Sequence, residues 1–244
     1  MKELSHCDKS IVLLSGGLDS STTLSIAKKY SNKVYALTVD YGQMHHIEIA
    51  AAKAIADKVG VEEHIIVSIS ATEKLFATSA LLNPSIAIPM DGVKDFVPVT
   101  YVPCRNIVLL GLAAGWSETL DAPMIYIGVN SQDYSGYPDC RPDFINNITS
   151  TINVGSNRKR YVQVEAPLQY LTKKDIVLLG TSMETPYELT WSCYNPQTDS
   201  LGYIFACGTC DSCRLRLKGF REAGLADPIR YMPGEINVTG TVSQ

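Results

Sequence analysis

The chain has 244 residues, 45% of them hydrophobic and 19% charged, which is enough to bury a core without disulfides. A net charge of −4 and a pI near 5.6 argue against a protein that coats nucleic acid through bulk charge, so no direct nucleic-acid partner is expected. No apolar stretch reaches the ~20 residues of a membrane helix, and the opening MKELSHCDKS lacks the apolar run of a secretory signal, so the expectation is no membrane and a cytoplasmic location.

Apolar and amphipathic runs alternate along the chain. SIVLL (10–14) reads as a short buried strand, and 20–30 as a helix with Ser20 at its N-cap. KVYALTVD (33–40) is a second strand, ending at Asp40. The segment 45–60 is an amphipathic helix, with Ile47, Ala50, Ala51, Ala54, Ile55 and Val59 on one face and Gly60 as its stop. EHIIVSI (63–69) is a third strand. Residues 70–104 carry four prolines and little periodicity, which predicts a long loop over the sheet with a short helix at 72–80. A broadly apolar helix follows at 106–120, then a strand at 124–130, a helix at 141–153, a strand at 161–168 and a helix at 172–181. This alternation predicts an α/β fold: a doubly wound, mostly parallel, Rossmann-like sheet. The expected division is an α/β domain over 8–181 and a cysteine-bearing region with a following helix over 182–224.

SGGLDS (15–20) stands where the first strand ends, on the edge of a parallel sheet where ligands bind. Gly16 and Gly17 let the backbone curl tightly, and the following helix adds its positive end, so the turn can nest an anion. Ser15, Ser20 and Ser21 add hydroxyls. Asp19 suits a bare anion poorly and points to magnesium arriving with a phosphate. The bland alternative is a capped strand–helix turn.

Seven cysteines occur, and Cys193, Cys207, Cys210 and Cys213 fall within 21 residues. Two-residue spacings let thiolates turn back onto one ion, so a structural four-cysteine zinc site, one zinc per chain, is the expectation; unlinked thiols or an iron–sulfur cluster are the alternatives. Cys140 reads as packing rather than as a nucleophile. His45, His46 and Glu48, at the start of an amphipathic helix, read as a solvated first turn rather than a metal site. Asp40 could hold the adenosine side of a nucleotide or a metal, or could be a turn residue.

SGGLDS after the first strand resembles the pyrophosphate-binding loop of the N-type ATP pyrophosphatases, whose fold is the adenine nucleotide alpha hydrolase type. TVDYGQMHHIEI (38–49), VPCRN (102–106), GVNSQDYSGYPDCRPDF (128–144), PLQYLTKKDIV (167–177), WSCYN (191–195) and CGTCDSCRLR (207–216) are similar, in this order, to the 7-cyano-7-deazaguanine synthase family of queuosine and archaeosine biosynthesis. The resemblance implies an ATP-dependent ligase that converts 7-carboxy-7-deazaguanine and ammonia to the nitrile through adenylated acid and amide, releasing AMP and pyrophosphate. It further implies magnesium with ATP and a homodimer. It places ATP on Leu14, Ser15, Gly16, Gly17, Leu18, Asp19, Ser20, Ser21 and Asp40, and catalysis on Asp19, Arg105 and Lys173. The planar substrate would meet Asp133 or Asp139 through its N–H donors, Tyr134 or Tyr137 through its faces, and Arg141 through its carboxylate. Two departures stand out: Cys104, where the family pattern has glycine, and the 13 residues between Cys193 and Cys207. The competing readings are a tRNA thiolation enzyme of the same fold and a zinc-stapled nucleotide sensor without catalysis.

Overall fold

The computed structural model describes residues 4–42, 47–69, 76, 78–83, 85–86, 97, 99–130 and 137–233. Strands β1 (Cys7–Leu13), β2 (Ser31–Asp40), β3 (Glu63–Ser68), β4 (Met124–Tyr126) and β5 (Gln163–Glu165) form one sheet in the order β3-β2-β1-β4-β5. Every neighbouring pair is parallel. Helices α1 (Leu18–Tyr30), α2 (Ile47–Val59), α3 (Arg105–Leu120), α4 (Pro142–Gly155), α5 (Lys173–Ser182) and α6 (Asp211–Ala223) surround it. The strand order reverses between β1 and β4, which opens a crevice at their carboxyl ends.

Period-2 alternation divides β1 between two apolar layers. Ile11 and Leu13 pack with Leu110 and Ala113 of α3 and with Ile145 and Ile152 of α4. Val12 and Leu14 face the other way, onto Leu24 of α1 and Ala52 and Ile55 of α2. α1 is buried nearly all round although it is rich in hydroxyls. Its hydroxyls bond back along the helix: Thr22 to the Leu18 carbonyl, Thr23 to Asp19 and Ser25 to Ser21. Two of them also bond outside the helix: Thr22 lies 2.8 Å from the Tyr187 hydroxyl, and Ser25 accepts from the Thr185 hydroxyl at 2.8 Å, so these buried polar groups are satisfied.

Several boundaries differ from expectation. Gly17, not Ser20, is the N-cap of α1. β4 and β5 are three residues each. Beyond Tyr126 the chain passes the start of α1 at Gly128, where a β-carbon would lie 3.0 Å from the Ser20 Cα and N. Most of the helix expected at 72–80, and His45 and His46, lie outside the described residues.

The region after α5 is a 3-10 turn (Tyr187–Leu189), a small antiparallel hairpin of β6 (Gln197–Thr198) and β7 (Ile204–Phe205), and α6. That hairpin is what the 13 residues between Cys193 and Cys207 build. Its turn is closed by Asp199, which accepts from the Leu201 and Tyr203 amides. The segment after α6, for which the sequence suggested nothing, is tied down. Asp227 receives Arg216 Nε at 2.7 Å and Nη2 at 2.9 Å, and Tyr231 donates to it at 2.7 Å. Arg216 is 2% exposed, and its remaining donors reach Thr190, Ser192 and the Tyr187 carbonyl.

Candidate active site

The crevice holds a cavity of about 260 Å³, walled by the 15–20 loop, the ends of β2 and β4, the start of α3, Lys173 and residues 191–194. In the loop, Gly16 takes φ +85°. A β-carbon there would stand 2.2 Å from the Glu48 carbonyl oxygen and 2.8 Å from the Ala52 amide nitrogen, so only glycine lets α2 press on the loop. The Gly16 carbonyl accepts from the Trp191 amide at 2.9 Å. The Ser15 and Ser20 hydroxyls sit 3.0 Å apart, and Ser21 donates to the Gly17 carbonyl at 2.7 Å. These bonds fix the turn. The first-turn amides of α1, which a helix leaves without intrahelical acceptors, start at the cavity wall with Leu18, Asp19 and Ser20.

The loop has no lysine of its own, and one arrives from α5. Lys173 Nζ lies 2.8 Å from both Asp19 oxygens. Lys173 is only 7% exposed, so this pairing offsets part of the cost of burying its charge. Three local features aim it. Thr172 and Asp175 form a reciprocal capping box at the start of α5, and its hydrogen bonds hold the Asp175 carboxyl below its usual range. Asn130, at the end of the β4 segment, donates to the Leu168 and Leu171 carbonyls just before it. Gly219 of α6 leaves room for its stem, since a β-carbon there would fall 2.4 Å from Lys173 Cγ.

The opposite wall is the start of α3. Cys104 precedes it in the left-handed region at φ 55°, the conformation in which glycine is easiest. Cysteine adopts it here, exposed, with its amide donating to the Tyr101 hydroxyl at 3.1 Å. Arg105 lines the cavity with Tyr41 and Glu48. Burial opposes the Arg105 charge, but the Asp139 carboxylate and a hydrogen bond with Tyr41 keep it cationic. Burial raises the Tyr41 phenol, keeping it protonated. Glu48 is a correction to the sequence reading. α2 begins at Ile47 and its first turn rests on Gly16, so position 48 faces the cavity instead of bulk water. Burial pushes its carboxyl up to about 7, against the pull of Arg105.

The four clustered cysteines are buried, and their sulfur atoms all lie within 4.8 Å of one another. A zinc tetrahedron with Zn–S bonds of ~2.3 Å needs sulfur–sulfur separations of ~3.8 Å. Backbone amides already point at the sulfurs: Asn195 and Cys207 at Cys193, and Thr209 and Cys210 at Cys207. Hydrogen bonds from Cys193 and Cys213 hold the Cys210 thiol well below its usual range. Donor set, spacing and amide–sulfur bonds all fit a thiolate-bound zinc, and the four residues could hold one. A closed set of four ligands leaves no coordination position for substrate, so the ion's work there is structural.

The queuosine biosynthesis protein QueC family model matches residues 9–224. A 7-cyano-7-deazaguanine synthase of Geobacter sp. (strain M21) is 47% identical over 227 residues, covering 91% of this chain and 97% of that protein. The synthase of Oceanobacillus iheyensis is 46% identical over 224 residues, covering 92% and 98%. That of Thermoplasma volcanium is 45% identical, covering 91% and 90%.

The chain belongs to the QueC family. It is thus an enzyme of the synthase class, and the fold expected for the family is the one observed.

Within this QueC-family chain the expected residues fall into three groups. Leu14, Ser15, Gly17, Leu18, Asp19, Ser20, Arg105, Tyr137 and Lys173 line one cavity, and Cys193 touches it from the metal cluster. Gly16, Ser21, Asp40, Asp139 and Arg141 are not on its wall. Gly16 and Ser21 shape the loop from behind. Asp40 accepts from the Gly42 amide at 3.1 Å, as a turn residue does. Asp139, 5% exposed, accepts from the Asn106 amide at 3.2 Å, and its charge supports Arg105 from beneath. Arg141 is exposed and precedes α4. Tyr137 gives its hydroxyl to a 2.7 Å bond with Thr100, leaving ring surface on the cavity. Asp133 and Tyr134 lie outside the described residues. Sequence reasoning took Glu48 as solvated and gave no role to Gly128, Asn130, Trp191 or Gly219; the first four lie in segments that resemble the family, and Gly219 carried no signal.

Proposed function

We propose that this chain converts 7-carboxy-7-deazaguanine and ammonia to 7-cyano-7-deazaguanine, using two ATP and releasing AMP and pyrophosphate twice. The observation that carries the reading is the meeting of Lys173 with Asp19 at the mouth of the 15–20 nest, opposite Arg105. A carboxylate resists ammonia because its oxygen leaves badly and its charge repels a nucleophile. Adenylation replaces that oxygen by a phosphate ester. Ammonia then displaces AMP to give the amide, and adenylation of the amide oxygen lets AMP leave a second time as the nitrile forms.

Each residue's part follows from its position. The amides of the α1 first turn and the Lys173 ammonium receive the departing pyrophosphate. Arg105, held cationic from beneath, faces the charge that develops on the α-phosphate or the substrate carboxylate. The Tyr137 ring offers a flat apolar surface to the base. Magnesium is expected to accompany ATP; Asp19 is the carboxylate at the nest, and a cation would have to take an oxygen that Lys173 now holds. No nucleophilic side chain is needed: burial and the neighbouring Asp139 push the Cys140 thiol up to about 12, too high for a thiolate at neutral pH. Zinc would staple residues 193–213 behind the cavity. The reading also includes a cytoplasmic homodimer, with 8–181 and 182–224 as the catalytic body and its stapled wall.

Incubation of the protein with ATP, magnesium, ammonia and the carboxy-deazaguanine tests this. Two AMP per molecule of nitrile is the expected result. AMP without conversion of the acid, or no AMP at all, overturns it.

A further inference from the structure

The cavity wall carries two carboxylates among the described residues, Asp19 and Glu48. Asp19 has both oxygens engaged by Lys173. Asp40 and Asp139, the acids nearest in the reading above, are off the wall and accept from backbone amides. Glu48 is different: its carboxylate makes no hydrogen bond or salt bridge among the described residues, and it faces the space between the phosphate loop and Arg105. Its backbone is fixed there, because the Glu48 carbonyl fills the gap that Gly16 leaves. A carboxyl whose backbone is fixed on a cavity wall, drawn on by the Arg105 charge but hydrogen-bonded to nothing among the described residues, is open to a ligand.

The nitrogen chemistry requires a proton acceptor at this place. When ammonia forms the C–N bond, the C–O bond to the nucleotide breaks and AMP takes that electron pair. The nitrogen must shed one proton to become the amide. In the second half the amide oxygen attacks the α-phosphorus and pyrophosphate leaves. Two N–H protons must then go as the AMP oxygen departs and the C≡N bond closes. None of the cationic groups on the wall, Arg105, Lys173 and Arg216, can accept them. The buried Tyr41 phenol is protonated.

We propose that Glu48 is the general base that takes these protons from the nitrogen of the nucleophile and of the adenylated amide, handing each to water between steps; this rests on the function proposed above. Arg105 of α3 and Tyr41 beyond β2 are the groups that interact with it, and Asp19, Tyr137, Cys140, Lys173, Cys193, Tyr194 and Arg216 share its cavity wall. With a carboxyl near 7, it is ionised enough to accept and basic enough to be useful.

Glu48→Gln tests the assignment. Three readings are compared with wild type: pyrophosphate release, hydroxamate formation with hydroxylamine, and amide plus nitrile formation with ammonia. Hydroxylamine is trapped by an acyl adenylate with little help from a base. The expected result is near-normal pyrophosphate release and hydroxamate, with ammonia-dependent product down ~10²–10⁴-fold. The wild-type rate, referred to free ammonia, should fall as pH drops through about 7, and the variant should lose that limb. Equal losses in all three readings, weaker binding of the carboxy-deazaguanine, or an unchanged variant overturns the proposal. Wild type that releases no pyrophosphate with this acid overturns the function reading instead, so the two failures are distinct.

Discussion

Gly219 lies on α6, far in sequence from the phosphate loop, yet it governs where Lys173 can stand. In Gly219→Ala the new β-carbon would sit 2.4 Å from Lys173 Cγ, 3.1 Å from its Cβ and 3.2 Å from its backbone carbon. Ordinary contact begins near 3.4 Å, so the root of the side chain must move by roughly 1 Å, and a free swing of the tip does not relieve it. Such overpacking costs ~1–3 kcal/mol, and alanine in a helix interior returns ~1, for a net loss of ~0–2 kcal/mol. For a chain this long that lowers Tm by up to ~8 °C. The effect on turnover should be larger. A displacement of ~1 Å takes Lys173 Nζ out of its 2.8 Å contacts with Asp19 and can reduce kcat ~10²-fold. Pyrophosphate release and thermal unfolding on the same sample separate the two effects. The control is Gly111→Ala on α3, where nothing lies within 4 Å of an added β-carbon; it should keep full activity and gain up to ~1 kcal/mol. Wild-type kcat in Gly219→Ala would refute the claim that this glycine aims the lysine.

Cys210→Ser, or chelation, should destabilise residues 193–213 and lower Tm before it changes KM, and metal analysis of well-folded protein should find about one zinc; zinc-free protein of unchanged stability contradicts the staple. Alkylation at pH 8 should mark the exposed Cys104 quickly and leave the buried Cys140, held up to about 12, unmodified by mass spectrometry. Glu48 also has a stability signature. Its folded carboxyl, near 7, lies above the ordinary 4.5, so the native state holds a proton that the unfolded chain gives up. Wild type should therefore lose up to ~3 kcal/mol relative to Glu48→Gln as pH rises from 4.5 through 7, with no difference near pH 4. Denaturant unfolding of both proteins across that range measures it.

Much of this arrangement is legible in the sequence because local rules carry it. The apolar run before SGGLDS has to be a buried strand, and two glycines after it have to be a tight turn. The cysteine spacing likewise needs little beyond chain geometry. What the sequence hides is set by tertiary contact. Glu48 reads as solvated because its helix is amphipathic, and only the seat of α2 on Gly16 turns it inward. Asp139 reads as a ligand because it lies in a motif, whereas its carboxylate serves the first turn of α3. The Arg216–Asp227 pair joins a helix to a segment without periodicity, so nothing local announces it. Cys104 shows the opposite case. The family resemblance implies glycine at this position, and the structure puts cysteine in the left-handed region there.

The central claim is that the coil between β1 and α1 receives the phosphates of ATP. A crystal structure of the protein with a non-hydrolysable α,β-methylene analogue of ATP and magnesium tests it most directly. The β- and γ-phosphates should lie against the amides of residues 16–20, within hydrogen-bonding reach of Lys173. Phosphates bound elsewhere in the crevice, with Lys173 still closed on Asp19 and the coil empty, would contradict it.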